Sequence, residues 1–302
     1  MGNKIDIVKH KKRKIISLVI VLAVCLAICI SCVILIDNKT VDYERFSVSA
    51  DNVESETVKG LKIAHLSDLH FPKIKVNIDG LLKKVQEENV DFIAITGDII
   101  DSSAEVNSCG AVDFIKKIVL IAPVYYVNGN HEKGHPQEQL LYDILRSNGV
   151  AVLGNESVNV SFGSKRVTII GLSDNAFYSD SYVRDNPEIK DNYKVLLAHR
   201  PDGSKWLSYI SAANRFPPHI VLSGHAHGGQ FRFFGNGLVA PDQGLFPKYD
   251  AGLYRHAGQY KYESEGETHT QTVNMIVSRG IGNSIIPFRF NNKPHVPIIT
   301  VS

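Results

Sequence analysis

The 302-residue sequence predicts an α/β fold in which two packed, mixed β-sheets are flanked by helices, with an N-terminal transmembrane helix ahead of them. Three observations carry that expectation. From residue 61 onward, short apolar runs of strand length alternate with amphipathic helical stretches, as in βαβ units. Residues able to bind metals recur just after those runs, where an open α/β sheet gathers its loops into a crevice. An uncharged run of 22 residues, Ile15 to Ile36, stands apart near the start.

As a helix, that run would be about 33 Å long, close to one bilayer core. Every face of it is apolar, so it reads as a membrane span and not as a helix of a soluble domain. Lys9, Lys11, Lys12, Arg13 and Lys14 abut its amino end. The positive-inside rule keeps that end in the cytoplasm and carries everything after Asp37 to the other side. A cleaved signal peptide is the rival reading. Its apolar core is usually about 7–15 residues long and ends in a small-x-small site. Ile30-Ser31-Cys32-Val33-Ile34-Leu35-Ile36 offers nothing similar to Ala-x-Ala. Asp6 stands where an N-myristoylation motif requires Ser or Thr. The expected division is a basic cytoplasmic flank (1–14), a transmembrane helix (15–36), a polar tether (37–60) with a first strand around Tyr43–Ser49, and one α/β domain (61–302). The protein is thus expected in the cell membrane, single-pass, with its large domain extracytoplasmic.

Leu61–Leu66 reads as a strand ending at Ser67-Asp68-Leu69-His70. Ile78, Leu81, Leu82 and Val85 form one face against Lys83, Lys84, Glu87 and Glu88, which predicts a helix over 78–88. Asp91–Thr96 is a buried-type strand ending at Gly97-Asp98. A helix over 108–119 leads to a strand at Val124–Val127, ending at Gly129-Asn130-His131-Glu132. A helix over 137–147 and short strands near 151–153, 157–162 and 166–170 follow. The strand Lys194–Ala198 ends at His199. A helix over 203–213 precedes the strand His219–Ser223, which runs into Gly224-His225-Ala226-His227. The tail returns to strand-like runs at Phe231–Phe234, Val273–Val277 and Pro297–Val301.

The clusters at these strand ends share one chemistry. Asp68-x-His70 puts two donors on alternate residues, so both can reach one ion. Asp98 can bridge two cations, Asn130 offers an amide oxygen, and His199, His225 and His227 offer imidazole nitrogens. Such a mixture of oxygen and nitrogen donors suits Mn, Fe or Zn better than Mg or Ca. With no cysteine in the set, a structural zinc site is disfavoured. Two divalent ions about 3.5–4 Å apart can clamp a phosphoryl group and generate a hydroxide nucleophile at neutral pH. His131, beside Asn130 and not needed as a ligand, is placed to protonate the leaving oxygen.

These five blocks, in this order, resemble the calcineurin-like metallophosphoesterase superfamily over about residues 61–230. Its pattern runs Asp-x-His, Gly-Asp, Gly-Asn-His-Glu/Asp, His, Gly-His-x-His. The resemblance implies a four-layer α/β sandwich of two mixed β-sheets flanked by helices, a dinuclear centre, and hydrolysis of a phosphoester or pyrophosphate bond. Carried over residue by residue, Asp68, His70, Asp98 and His227 would hold one ion. Asp98, Asn130, His199 and His225 would hold the other, and His131 would assist catalysis. Gly228-Gly229-Gln230, Ser278-Arg279-Gly280-Ile281-Gly282 and Pro287-Phe288-Arg289-Phe290 look similar to a bacterial membrane-anchored branch. That branch includes enzymes resembling UDP-2,3-diacylglucosamine pyrophosphatases, and with the anchor it favours lipid-linked or envelope substrates. Arg200 departs from the small or polar residue frequent after the isolated histidine. It could set a guanidinium near the substrate phosphate and is a candidate substrate-binding residue.

Other readings fit the residues less well. A non-catalytic metal-binding surface module would be expected to have lost ligands, whereas all seven are present. His131-Glu132-Lys133-Gly134-His135 spells His-Glu-x-x-His, the zinc protease motif, but Gly134 and Pro136 make a poor helix interior. His65 reads as a core residue. Arg279 and Arg289 could bind phosphate or pair with surface carboxylates. Residues 1–14 hold a surplus of five positive charges, which leaves −3 for the rest. No nucleic-acid surface is therefore expected, and no protein partner is implied. Outside the apolar run the only cysteine is Cys109, so that part of the chain can form no internal disulfide.

Overall fold

The computed structural model describes residues 2–50, 58–183, 186, 188–189, 191–261, 268–283 and 285–302, without the side chains of residues 2–9 and 11. Residues 51–57 of the expected tether lie outside the described residues. The elements run α1 (Gly2–Asp37), β1 (Arg45–Val48), β2 (Lys62–Leu66), α2 (Ile78–Glu87), β3 (Phe92–Thr96), α3 (Ala111–Ile118), β4 (Val124–Val127), α4 (Glu138–Ser147), β5 (Ala151–Val152), β6 (Glu156–Phe162), β7 (Lys165–Gly171), β8 (Tyr193–Leu197), α5 (Gly203–Tyr209) and β9 (Ile220–Ser223). Two small hairpins follow, β10 (Arg232–Phe233) with β11 (Asn236–Gly237) and β12 (Val239–Ala240) with β13 (Gly244–Leu245), and then β14 (Gly252–Lys261), β15 (Thr268–Val277) and β16 (Ile298–Val301).

Ten of these strands and β5 and β1 build two six-stranded sheets, ordered β1-β16-β2-β3-β4-β5 and β14-β15-β9-β8-β7-β6. The central ladders are parallel: β2-β3-β4-β5 in one sheet and β7-β8-β9-β15 in the other. Antiparallel pairs β16·β2, β6·β7 and β14·β15 make both sheets mixed, as expected. Strand alternation explains the layers. Ile63, Phe92 and Ala94 face Val195, Leu197, Ile220 and Leu222 of the other sheet across an apolar seam. Their neighbours Ala64, Leu66, Ile93 and Ile95 point the other way, under Leu81, Leu82, Phe114 and Leu141 of α2, α3 and α4. On the far side, Leu196 and Val221 pack beneath Trp206 and Tyr209 of α5. Strands buried on both faces are continuously apolar, which is how parallel sheets covered on both sides read.

Several boundaries differ from expectation for local reasons. The helix predicted over 203–213 stops at Tyr209, because Asn214 Nδ2 donates to the carbonyls of Ser208 and Tyr209 and closes its end. β14 lies in a stretch without an apolar run. It is an edge strand whose alternate positions are Tyr254, His256, Gly258 and Tyr260, so its period is masked by polar and small residues. β1, by contrast, falls within Tyr43–Ser49, where a first strand was expected, and pairs in parallel with β16. In α1, the segment Lys12–Asp37 is long and apolar enough to cross a membrane. Its side chains are exposed almost throughout, until Asp37 and Asn38 become buried against the domain.

Candidate metal centre

The loops after β2, β3 and β4 of one sheet meet the loops after β8 and β9 of the other. Backbone bonds stitch them together: Asp68 N–H donates to Gly97 O at 3.0 Å, His70 N–H to Asp98 O at 2.9 Å, and Gly224 N–H to His199 O at 3.0 Å. The approach is close enough to exclude side chains. A Cβ on Gly129 would lie 2.1 Å from Asp98 Oδ1, and one on Gly224 would lie 1.8 Å from Ser67 Oγ. Asp68, His70, Asp98, His225 and His227 all have φ between 48° and 64°. That left-handed region costs a non-glycine residue roughly 1–3 kcal/mol and clusters where function demands it. Local propensity therefore does not explain these turns; the packing of the two sheets holds them.

All seven expected ligand residues converge. His70 Nε2 faces His227 Nε2 at 3.2 Å, and His227 Nε2 lies 3.4 Å from Asp68 Oδ1. Asp98 Oδ2 is 3.7 Å from His70 Nε2 and 3.4 Å from His199 Nε2, so it stands between the two halves. His199 Nε2 is 3.1 Å from Asn130 Oδ1 and 3.2 Å from His225 Nδ1. Asp68 with His70 and His227, and Asp98 with His199 and His225, each form a group able to hold a metal ion. Except for the partly exposed Asn130, all seven are buried.

The donor set fits divalent cations. Nitrogen and oxygen ligands about 2.1 Å from a shared ion sit roughly 3 Å apart, which is the spacing of the two facing imidazole pairs. His199 Nδ1 donates to Thr96 O at 2.7 Å, which turns its Nε2 inward as the atom free to meet a cation. Burial pushes His70 down to about 4 and His227 down to about 3, leaving both neutral as ligands must be. Burial works to raise the Asp68 and Asp98 carboxyls, yet the surrounding imidazoles hold both below the usual carboxylate range. Burial also opposes charge on His199, but Asp98 prevails and lifts it to about 10. The centre thus wants positive charge beside Asp98, which a divalent cation supplies in place of that proton.

His131 sits at the rim of this cluster. Its own N–H donates to Asp98 Oδ1 at 2.9 Å, and its Nδ1 accepts Ser102 N–H at 2.9 Å. A neutral ring so bound carries its proton on Nε2, on the side of Asp98 Oδ2, 3.9 Å away. The residues 131–135 form turns ahead of α4, not a helix, so His131 and His135 do not share the helical face a His-Glu-x-x-His zinc site requires.

Arg200 lies beside the centre with Nη1 3.4 Å from His225 Nε2. Its guanidinium is engaged by two carboxylates: Asp174, at 2.7 Å from Nε and 3.1 Å from Nη2, and Asp242, which bonds Nη1. Asp242 Oδ2 also lies 2.9 Å from His225 Nε2. Neither acid belongs to the sequence blocks, and nothing in Pro241-Asp242-Gln243-Gly244 beyond a turn signal marks Asp242. Glu132 enters the sequence pattern only as a motif member. It is fully buried and accepts N–H groups of Asp98 and Gly129 at 2.8 Å and of Ile100 at 3.0 Å. Burial and then the charge of Asp98 push its carboxyl up to about 8 against the pull of those amides. Arg289 is also buried and donates to the carbonyls of Arg279 and Gly282 at 2.7 and 2.6 Å, with Nη2 3.5 Å from His227 Nδ1. Arg279 pairs with Asp42 at 2.6 Å. His65 is a core residue, with Nε2 2.8 Å from Thr96 Oγ1.

Comparison with known proteins bears on this geometry. The family model described as calcineurin-like phosphoesterase matches residues 61–229, more than half of the chain. The Bacillus subtilis metallophosphoesterase YkoQ is 28% identical over 265 residues, covering 86% of this chain and 91% of that protein. The Escherichia coli phosphodiesterase YaeI is 25% identical over 246 residues, covering 79% and 81%. Among solved structures, the NAD nucleotidase of Haemophilus influenzae aligns over 74% of this chain and 51% of its own, at 15% identity and a TM-score of 0.48.

Proposed function

Because the chain belongs to the calcineurin-like phosphoesterase family and is a phosphoester hydrolase, we propose that it works through a dinuclear centre held at the outer face of a membrane. The observation that carries this reading is the pair of facing imidazole couples, His70 with His227 and His199 with His225, on either side of Asp98. Asp68, His70 and His227 would hold one ion and Asn130, His199 and His225 the other, with Asp98 shared. Two divalent ions there, Mn, Fe or Zn by donor type, would neutralise the phosphoryl oxygens and make a nucleophile of water near neutral pH.

The chain's own groups have separate tasks. His131, expected to protonate the departing oxygen, has Nδ1 occupied by the Ser102 amide, so its proposed part is to donate a hydrogen bond from Nε2 that stabilises the negative charge developing there. Asp242 accepts the Nε2–H of His225 and so aims Nδ1 inward, which fixes the tautomer a ligand needs. Arg200, expected at the substrate phosphate, is held by Asp174 and Asp242. Its proposed part is to fix Asp242 and to present a positive edge to an incoming phosphate. Asp68 binds the His225 amide at 3.1 Å and so keeps the loop after β9 docked on the loop after β2.

With α1 as a single-pass anchor, the domain stays near the bilayer. That location and the likeness to the membrane-anchored branch support lipid-linked or envelope phosphoesters as substrates. The test uses the full chain in lipid nanodiscs. Metal content is measured by mass spectrometry, and hydrolysis is followed on phosphomonoesters, phosphodiesters and sugar-nucleotide lipids. Two divalent ions per chain, and loss of hydrolysis in Asp98→Ala, are expected. A protein without divalent metal, or Asp98→Ala at the wild-type rate, would remove the dinuclear reading.

A further inference from the structure

Outside α1, ten large apolar residues are exposed among the described residues, and six of them gather on one side of the domain. Phe233 and Phe234 form the tip of the β10–β11 hairpin, Leu245 and Phe246 lie at the second hairpin, and Ile285 and Phe288 belong to the loop before β16. Ile285 is 91% exposed and Phe234 fully so. Water contact is unfavourable for a side chain of this size relative to burial. Scattered apolar residues need no explanation, but a contiguous set marks a contact surface.

The three segments are physically joined. The Phe231 and Phe288 rings are 5.5 Å apart, and those of Phe233 and Phe290 are 5.9 Å apart. Gln230 Nε2 donates to Ile286 O at 3.2 Å and to Phe288 O at 2.6 Å. Phe246 N–H donates to Leu238 O at 2.8 Å, beside the first hairpin. An apolar cavity of about 240 Å³ runs between Ile285, Ile286 and Val239 and reaches His227 of the candidate centre.

The same loop grips the end of α1. Asn38 Nδ2 donates to Arg289 O at 3.2 Å, while Asn38 Oδ1 accepts Arg289 N–H at 3.2 Å and Asn283 Nδ2 at 3.1 Å. Ile285 is two residues from Asn283, so its Cα is within about 7 Å of that anchor. The apolar run of α1 ends at Ile36, two residues before Asn38. Exposed Lys39, Lys75 and Lys248 flank the face; Lys75 Nζ donates to Pro287 O at 2.6 Å. Apolar tips ringed by lysines suit an anionic bilayer surface.

We infer that this face rests in the interfacial layer of the bilayer that α1 would span, with Phe234, Phe246 and Ile285 seated among the lipid headgroups and upper acyl chains. The inference rests on the proposed anchoring by α1. Its occupant is the phospholipid surface and not a second protein, because the helix that enters the membrane is bonded to the very loop that carries the apolar tips. The cavity beside His227 then opens toward the lipid, and a membrane phosphoester reaches the centre without crossing water.

The test places tryptophan on the face in the full chain. Phe234→Trp and Phe246→Trp proteins are assembled in nanodiscs of phosphatidylcholine and phosphatidylglycerol that carry bromine either near the headgroup or near the chain end. The wild type, with Trp206 buried under the second sheet, supplies the background. Leu120→Trp, at the amino end of β4 and so at the opposite end of the strands, is the control. Residues seated in the interface lie roughly 5–10 Å into the headgroup boundary. The added emission should therefore be blue-shifted, and headgroup-proximal bromine should quench it more than chain-end bromine, with Leu120→Trp unquenched. Unquenched, water-like emission from both face variants overturns the inference while leaving the anchor intact. Blue-shifted emission that bromine does not touch overturns it in favour of a protein partner. Equal quenching of Leu120→Trp overturns it as well, since no particular face is then seated. A chain that fails to co-elute with the discs removes the anchoring reading, and this inference falls with it.

Discussion

The buried carboxylate of Glu132 accepts the backbone N–H of Asp98 at 2.8 Å, and with it the N–H groups of Gly129 and Ile100. It ties the loop after β3 to the loop after β4 at the point where Asp98 and Asn130 must stay in register. Glu132→Ala would leave three N–H groups without acceptors, at about 1–3 kcal/mol each. A loss on the order of 3 kcal/mol or more is expected as a lowered melting temperature. Glu132→Gln keeps one acceptor oxygen and should fall between the two. Melting curves that superimpose across the three proteins would contradict this role.

The bond between Asp242 and His225 makes a second prediction, this time about metal and not about folding. Asp242 is partly exposed, and its carboxyl is held well below the usual range, first by the bond from His225 and then by the charges of His225 and Arg200. Removing such an outer partner of a ligating histidine typically costs 10–100-fold in metal affinity. Asp242→Asn should therefore weaken metal binding by about that factor, read by competition with a chelating dye, while the metal-free protein melts as the wild type does. Unchanged affinity would mean that His225 does not depend on this carboxylate.

For His131 the expected signature is a dependence on leaving group. A group that only hydrogen-bonds to the departing oxygen matters most when that oxygen carries the most charge, as a basic alkoxide does. His131→Gln should lower kcat by roughly 10²–10³-fold on an alkyl phosphoester, and much less on a nitrophenyl ester, with metal content retained. An equal loss on both substrates would instead assign His131 to holding the site together.

These residues also show what was legible in the sequence. The seven residues that converge could be read because each follows a strand at a short, chemically distinctive spacing. The two sheets could be read because both-face burial writes continuous apolar runs. Glu132 was legible as a letter of a motif but not as a clamp, since two of its three partners are backbone amides of a loop 32 to 34 residues away in sequence. Asp242 and Asp174 carry no spacing signal at all, because their relation to Arg200 and His225 exists only after β8, β9 and the small hairpins are assembled. Arg289 reads equally as a phosphate binder or a partner of surface carboxylates, and its burial among carbonyls depends on the loop that meets Asn38.

Metal removal should destabilise the folded chain as well as silence it. A cation that binds the native cluster and not the unfolded chain adds about 2.7 kcal/mol at a hundredfold excess over its Kd. The chelator-treated protein should melt several degrees lower and recover on adding Mn or Zn. In Asp68→Asn, which weakens one of the two groups, the recovery should be smaller. Identical melting with and without chelator would show that the seven residues form no cation site.

The last prediction concerns pH and a residue away from the centre. Lys194 is almost fully buried in β8, with Nζ donating to the carbonyls of Ile189 and Asn192 at 3.0 and 3.1 Å. Burial pushes its ammonium down to about 7 from 10.5, with only partial relief from Asp191. The sign follows from which state keeps the proton. Below about 7 both states hold it, so Lys194 contributes no slope. Between about 7 and 10.5 the unfolded chain holds it and the folded chain has released it, so stability rises with pH. Each unit in that window is worth about 1 kcal/mol. In metal-free buffer, the wild type should therefore gain on the order of 2 kcal/mol relative to Lys194→Met between pH 7 and pH 9. Denaturant titrations of both proteins at the two pH values measure that difference directly, and parallel behaviour would mean that Lys194 stays charged where it is buried.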